Sequence, residues 1–277
     1  MNRLLLIDGS NLLFQMFYGM PSRILSKDGK PIQGVLGFIG ALKKIITSTD
    51  PTHICVLFDG EHENKRTQLL EDYKKNRMDY GLLPEEETPF SQLESIYSAL
   101  TFMHIPYVEL TDYETDDYIA SYVKKYASTM QIIISSWDSD YFSLIQPNVS
   151  IYRYRGKKSY FCDVDYIKKT YKISPTQYIF YKSLIGDSSD NIKGIPKIGP
   201  VSASKIVNAY SSISDLYAHL KECPFHNHLE GYQERLLLNE QIISFYILDT
   251  LPFSLEELFL PLCPLTTLEV LKHLDLL

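Results

Sequence analysis

Residues 113–126 read YETDDYIASYVKKY and set three carboxylates, Glu114, Asp116 and Asp117, within four positions. Like charges this close repel one another and drive pKa values up. Ile119, Tyr122, Val123 and Tyr126 follow at helical spacing, which puts the acids at the start of one helix. Four more aspartates follow short apolar runs: Asp8 after residues 4–7, Asp59 after 54–58, and Asp138 with Asp140 after 132–134. One aspartate behind a strand is commonly a turn former or helix cap. Three such strands plus a triple-acid helix start form a cluster that repels itself unless cations are bound. Oxygen ligands with no His or Cys nearby point to Mg²⁺ or Mn²⁺ rather than zinc.

A second constellation lies in LIGDSSDNIKGIPKIGPVSASKIVNAY, residues 184–210. Asp187 and Asp190, three apart, would share a face on a helical turn. Gly194 to Gly199 then form a glycine-rich turn before a helix-compatible stretch, an arrangement that bares backbone N–H groups to a phosphate. Lys193, Lys197 and Lys205 add positive charge around it. Without the two preceding acids, the same residues would read as a surface helix–turn–helix with solvated lysines.

The elements that must hold these side chains follow from periodicity. The three apolar runs are strands, and the segments between them, such as GFIGALKKIITS and FSQLESIYSALTFM, have helical spacing. Strands alternating with helices predict an α/β fold, a parallel sheet with helices on its faces. Ligands in such sheets bind beyond the carboxyl ends of the strands, where the four aspartates converge and the Glu114 helix can meet them. IYRYRGKKSYF predicts a hairpin whose basic tip, residues 153–158, is either a solvated turn or a DNA contact. Ser174 and Pro175 suit a helix start, while LLLNEQIISFYIL and LEVLKHLDLL predict helices packing back on the body. Residues 1–165 are expected to form the catalytic α/β body and residues 166–277 a helical region.

The chain has 277 residues, 45% of them hydrophobic and 22% charged, enough for a full core and too few charges for a disordered chain. Cys55, Cys162, Cys223 and Cys263 are scattered without a framework, as expected in a reducing compartment. Cys223, His226 and His228 lie close together but lack a partner pair, and read as an ordinary loop rather than a zinc site. The apolar run at the N-terminus is too short for a signal segment, and no stretch approaches the roughly 20 apolar residues of a membrane span. A cytoplasmic location without membrane association is expected.

The motifs IDGSN, FDG…R…YKKNR, YETDD, SWDSD and GDSSDNIKGIPKIG together resemble the bacterial 5′-nuclease family, the 5′→3′ exonucleases and flap endonucleases. The likeness covers nearly the whole chain, which looks like a stand-alone homologue of the 5′-nuclease domain of DNA polymerase I. It implies a PIN-like parallel sheet flanked by helices, an arch region at about 64–90 and a C-terminal helix–three-turn–helix at about 184–210. It also implies two divalent metals. Asp8, Asp59, Glu114, Asp116 and Asp117 would hold one; Asp138, Asp140, Asp187 and Asp190 would hold the other, partly through water. Arg66, Tyr73, Lys74 and Arg77 match the family's base-of-arch helix, where a lysine and an arginine contact the scissile phosphate and a tyrosine stacks on the terminal base. Their spacing fits one helical quadrant or its neighbour. Residues 78–90 look like the arch or its remnant, since Gly81, Pro84 and Pro89 break helix. Lys193, Gly194, Ile195, Lys197, Ile198, Gly199 and Lys205 would grip duplex backbone, with K⁺ on turn carbonyls. The chain departs from the family pattern at Gln15, where arginine is common, at Asp112, often glycine, and at Trp137 and Ser139. None of these removes a metal ligand.

The resemblance implies a structure-specific, metal-dependent 5′-nuclease. It would cut phosphodiester bonds near the 5′ ends and 5′-flap junctions of DNA, RNA-primed ends included, in primer and flap removal during replication and repair. Two metals can activate a water and stabilise the leaving oxygen, while Lys74 and Arg77 offset charge on the phosphate. The net charge of −7 becomes +2 once the nine candidate ligand acids are set aside, so an acidic chain is compatible with phosphate binding if its charges segregate by face. A monomer is expected. The alternatives are a catalytically silent branched-DNA binding protein and a PIN-like ribonuclease, which would need fewer acids and no helix–three-turn–helix.

Overall fold

The structure is a computed structural model that describes residues 2–20, 22–60, 65–260 and 265–276. Cys263 and the first position of the expected arch, Asn64, lie outside the described residues.

Strand β1 (Arg3–Asp8) sends Leu4 and Leu6 to one face and Leu5 and Ile7 to the other, all fully buried. Apolar residues on both faces of a strand require cover on both sides of the sheet. With β2 (His53–Asp59), β3 (Tyr107–Leu110), β4 (Gln131–Ser135), β5 (Val149–Arg153) and β6 (Tyr160–Cys162), it forms a sheet of order β3-β2-β1-β4-β5-β6. β1 to β5 run parallel, and β6 closes the edge antiparallel to β5 as the expected hairpin. β3, a four-residue edge strand with an exposed Glu109, was too short and polar to read from the sequence.

Helices α1 (Gly9–Gly19), α2 (Gln33–Thr49), α4 (Leu93–Phe102) and α12 (Thr267–His273) cover one face, packing Leu13, Phe38, Ile96 and Leu271 on Leu5, Ile7, Val56 and Phe58. The other face packs on α5 (Thr115–Tyr126). Its core continues through α6 (Val164–Tyr171), α7 (Tyr178–Ile185), α8 (Pro200–Ala209), α9 (Ile213–Ala218), α10 (His226–Leu229) and α11 (Gln233–Ile243). Leu4, Leu6 and Leu57 thus share a single apolar cluster with Leu184, Ile206 and Leu236, so the main core of the helical region is continuous with that of the sheet. No described helix is long and apolar enough to cross a membrane.

Successive strands are added on one side of β1 up to β3 and then on the other side from β4. The switch point therefore falls between β1 and β4, where such sheets leave a crevice at their carboxyl ends. Asp8 and the Asp138–Asp140 loop flank it.

The structure corrects several local expectations. Ser174 and Gln177 form a capping box, but a 3₁₀ turn, Pro175–Gln177, precedes α7. The helix expected through residue 248 stops at Ile243, because the N–H groups of Tyr246 and Leu248 donate to Asp117 and Ser121 on α5. Cys223 is buried, and His226 Nδ1 lies 3.0 Å from the Cys223 carbonyl, an ordinary loop contact. Asp187 and Asp190 do not share a helical turn. Gly186, at φ +76°, ends α7 and starts a two-stranded hairpin, β7 (Gly186–Asp187) with β8 (Ile192–Lys193). A Cβ on Gly186 would come within 2.3 Å of the Gly194 nitrogen, and one on Gly194 within 2.3 Å of the Ile185 carbonyl. Only glycine permits this backbone-to-backbone packing, which sets the hairpin against the end of α7.

Gly194→Ala should therefore destabilise the chain by at least about 2 kcal/mol, whereas Gly40→Ala, in open space within α2, should be neutral or stabilising by up to about 1 kcal/mol. Urea unfolding of both variants checks this; equal stabilities would contradict the packing.

Candidate metal centre

Asp8 ends β1 and caps α1. Its Oδ1 accepts the Asn11 N–H at 2.9 Å, and its Oδ2 accepts Ser136 Oγ at 3.0 Å and the Tyr141 hydroxyl at 3.4 Å. Asp59 ends β2, and its Oδ1 accepts the Thr115 N–H at 2.8 Å, which ties the strand to the first turn of α5. Glu114 occupies the N-cap position of α5, and Asp116 receives a hydrogen bond from the Tyr141 hydroxyl. Asp138 and Asp140 leave β4 on a tight loop. The Asp138 N–H donates to Ser136 Oγ at 3.0 Å, and the Asp140 N–H to Asp138 Oδ1 at 2.8 Å.

Burial, with the repulsion of Asp59, pushes the Asp8 carboxyl up from 3.8 to about 7. Burial and the nearby Asp138 and Glu114 hold Asp116 well above the usual range, and burial also raises Asp138. Tyr141 rises too, through burial and then the charge of Asp116 and Asp8. These side chains are hard oxygen donors crowded into a site too dry to hold their charge unaided. The donor set fits divalent cations such as Mg²⁺ or Mn²⁺.

Basic side chains already offset part of the charge of the acids. Arg66, 3% exposed on α3 (Lys65–Leu69), donates from Nη1 to Glu114 at 2.8 Å and to Asp117 at 3.0 Å, and from Nη2 to Asp117 at 2.7 Å. It also donates to the carbonyls of Ile242, in the last turn of α11, and Ser244, just after it. Asp117 is 0% exposed and also accepts the Tyr246 N–H at 2.8 Å. Both its oxygens face inward onto donors, so Asp117 and Arg66 form a buried clamp that orients Glu114. Neither reaches the crevice as the sequence reading expected.

The base-of-arch helix is also shorter than expected. α3 ends at Leu69, and residues 71–76 make successive turns with Lys74 at φ +58°. This segment is stitched to the β7–β8 hairpin. The Lys74 N–H donates to the Asp190 carbonyl at 3.1 Å, Asn76 Nδ2 to Ser188 at 2.7 Å, and Asn191 Nδ2 to Asp72 at 2.8 Å. Lys74 Nζ pairs with Glu114, and although burial alone would lower its pKa, Glu114 and Asp190 raise it and keep it charged. Arg77, 54% exposed as a side chain, reaches Asp190 Oδ1 at 2.7 Å. Tyr73, expected to stack on a base, is instead 5% exposed against Ile192, Ile242 and Ile243. Its hydroxyl faces Glu114 at 3.3 Å and Asp190 at 3.4 Å, so its ring offers no stacking surface in this arrangement. Residues 78–90 carry only short 3₁₀ turns, Tyr80–Leu82, Glu85–Glu87 and the start of Pro89–Gln92.

Asp140, Asp187 and Asp190 form the second cluster, with one oxygen of each within 4.8 Å of the others. Lys182, buried on α7, reaches Asp140 and lies 2.5 Å from Asp187 Oδ2. Burial would raise Asp187, but Lys182 and Ser189 bring it below its ordinary value. Lys182 belongs to no motif, and its only signal in the sequence is to be the one charged residue in YIFYKSLI, five residues before Asp187. Tyr141 likewise has no motif to mark its bonds to two acids.

The glycine turn behaves differently at each position. Lys193, Lys197 and Lys205 are exposed, and Gly199 is the N-cap of α8. Ile195 and Ile198 are buried, and their N–H groups are already spent on the carbonyls of Leu184 at 2.8 Å and Ile195 at 3.1 Å. These two cannot bare N–H donors to a phosphate, and Gly194 is used for packing.

Carboxylates gathered at the edge of a parallel sheet and backed by a helical region define a metal-site α/β protein. The chain matches the models 5′-3′ exonuclease, N-terminal resolvase-like domain, over residues 3–172 and 5′-3′ exonuclease, C-terminal SAM fold, over residues 173–262. It belongs to the 5′-3′ exonuclease family, and it spans under a third of the length of the DNA polymerase I relatives it matches. It is 30% identical over 218 residues to a 5′-3′ exonuclease of Aquifex aeolicus, covering 78% of this chain and 72% of that one. It is 34% identical over 229 residues to DNA polymerase I of Rhizobium leguminosarum, covering 80% of this chain but 22% of the polymerase. The fold is similar to that of the T5 D15 protein co-crystallised with metal ions, at TM-score 0.71 and 21% identity over 88% of this chain and 90% of that one. The catalytic core of Rad2 in complex with DNA substrate follows at TM-score 0.61 and 15% identity, over 98% and 87%.

Two predictions follow from the electrostatics. An acid whose pKa is raised on folding takes up a proton, so metal-free stability should fall as pH rises from 3.8 through about 7, the window set by Asp8. Thermal unfolding in chelator at about pH 5 and about pH 8 should show this loss, and saturating Mg²⁺ should remove most of it. A profile that is flat without metal would contradict the reading. Separately, Lys182→Met should cost about 3 kcal/mol or more in chelator, by leaving Asp140 and Asp187 buried without their partner, and added Mg²⁺ should recover part of the loss.

Proposed function

We propose that the chain is a structure-specific, metal-dependent 5′-nuclease that cuts phosphodiester bonds near 5′ ends and 5′-flap junctions of DNA. The observation that carries this reading is the meeting of Asp8, Asp59, Glu114, Asp116 and Asp138 with the Asp140–Asp187–Asp190 cluster, bordered by Lys74 and Arg77. Two Mg²⁺ or Mn²⁺ ions are assigned to these two groups of acids. Bound there, they would supply an activated water and neutralise charge on the phosphate.

The chain's own residues do the rest. Lys74 and Arg77 sit where they can offset charge growing on the phosphate. Lys193, Lys197 and Lys205, with the N-terminus of α8 at Gly199, offer a sequence-independent grip on duplex backbone, and K⁺ on nearby turn carbonyls would strengthen it. We place the catalytic body at residues 1–165, its arch at about 64–90 and the DNA-gripping region at 166–277. Relatives named DNA polymerase I support a role in primer and flap removal during replication and repair; we further assign the chain RNA-primed as well as DNA ends, and a cytoplasmic monomer.

A 5′-flapped duplex labelled on the flap strand tests this with Mg²⁺, Mn²⁺ or chelator. Metal-dependent product near the flap junction is expected, reduced on the order of 10²-fold or more by Asp116→Ala, the scale on which loss of one charge-stabilising group acts. Tight binding without any product would contradict the nuclease and leave a silent branched-DNA binder.

A further inference from the structure

Two side chains from distant elements donate to one backbone oxygen. Gln15 Nε2, on α1, reaches the Tyr154 carbonyl at 2.7 Å, and Trp137 Nε1, on the loop after β4, reaches the same oxygen at 2.9 Å. The backbone of Trp137 is held on both sides. Its N–H donates to Asn11 Oδ1 at 3.0 Å, and its carbonyl accepts Arg153 Nη2 at 3.0 Å. The Arg153 guanidinium lies 5.3 Å from the centre of the Trp137 ring and 4.7 Å from that of Phe142, and Tyr160 meets the indole edge-on. α1, the β4 loop and the β5–β6 hairpin therefore meet at Trp137. The next residue is Asp138, whose loop is fixed in turn through Ser136 to Asp8.

We propose that Gln15 and Trp137 are a paired positioning device that sets Asp138 and Asp140 in place for metal, using the Tyr154 carbonyl as their shared anchor. This rests on the reading of Asp138 as a metal ligand. A carbonyl oxygen has two lone pairs and accepts both donors at once. Losing one donor leaves the oxygen satisfied by the other. Losing both leaves a part-buried acceptor without a protein donor and frees the loop from α1 and the hairpin together, so the two losses compound. A Trp137 that merely filled space would depend on its ring and be indifferent to its N–H. By the same contacts the β5–β6 hairpin is joined to the metal loop.

Mg²⁺ affinity measured by calorimetry on metal-free protein decides this, in wild type, Gln15→Leu, Trp137→Phe and the double variant, with unfolding in chelator as a fold control. Trp137→Phe loses the N–H together with part of the ring, so Trp137 is also replaced by 3-benzothienylalanine, which keeps the bicycle, loses only the N–H and should weaken Mg²⁺ binding to the same degree. Each single change should weaken Mg²⁺ binding about threefold, and the double about thirtyfold, beyond the product of the singles. Trp137 is the only tryptophan, so in wild type and Gln15→Leu its emission should titrate with the same Mg²⁺ dependence as the heat. Unchanged affinities, or a double variant no worse than the product of the singles, would overturn the pairing while leaving the metal site intact. A wild type that binds no Mg²⁺, or an Asp138→Asn variant that binds it normally, would remove the ligand reading and the proposal with it.

Discussion

The dominant constraint in this molecule is the crowding of carboxylates at one end of a buried sheet. β1, β2, the start of α5 and the loop after β4 each deliver acid to the same crevice, and the β7–β8 hairpin brings two more. Burial makes the charges of Asp8, Glu114 and Asp190 costly, and proximity makes each acid cost the others more. The fold answers partly with its own cations. Arg66 clamps Glu114 and Asp117, Lys74 pairs with Glu114, and Lys182 lies between Asp140 and Asp187. What these leave uncompensated appears as raised carboxyl pKa values at Asp8, Asp116 and Asp138, and this residue of unbalanced charge is what divalent cations would complete.

The same electrostatics bind the two halves of the chain. Arg66 also donates to carbonyls at the end of α11, and Asp117 and Ser121 hold the stretch of chain that follows. The turns at residues 72–76 are stitched to the hairpin that carries Asp187 and Asp190. Gly186 and Gly194 let that hairpin touch the end of α7. Moving any of these supports moves a carboxylate, so packing far from the crevice has a direct line to its charge geometry.

The sheet, its order of alternation with helices and the convergence of acids were legible because they depend on continuous apolar runs of strand length and on where such runs end. The glycine turn and the helix after it were legible for similar reasons. Tertiary hydrogen bonds decided what was not. Arg66 and Asp117 carry the right residue types for the crevice, but their mutual pairing turns them inward. Tyr73, Lys74 and Arg77 have helical spacing, yet the pull of the hairpin replaces the helix with turns and buries the Tyr73 ring. Asp187 and Asp190 were three apart on a hairpin rather than a helix because Gly186 adopts a positive φ. Lys182 looked like one more residue of an apolar helix until the fold placed acids around it.

The most direct measurement is an anomalous difference map from a crystal soaked in Mn²⁺. Two peaks per chain are expected, one against Asp8 and Asp116 and one within the Asp140–Asp187–Asp190 cluster, with Lys182 withdrawn from Asp187. Peaks elsewhere, or none with Lys182 still seated between its two acids, would contradict the account that this crowded charge is built for metal.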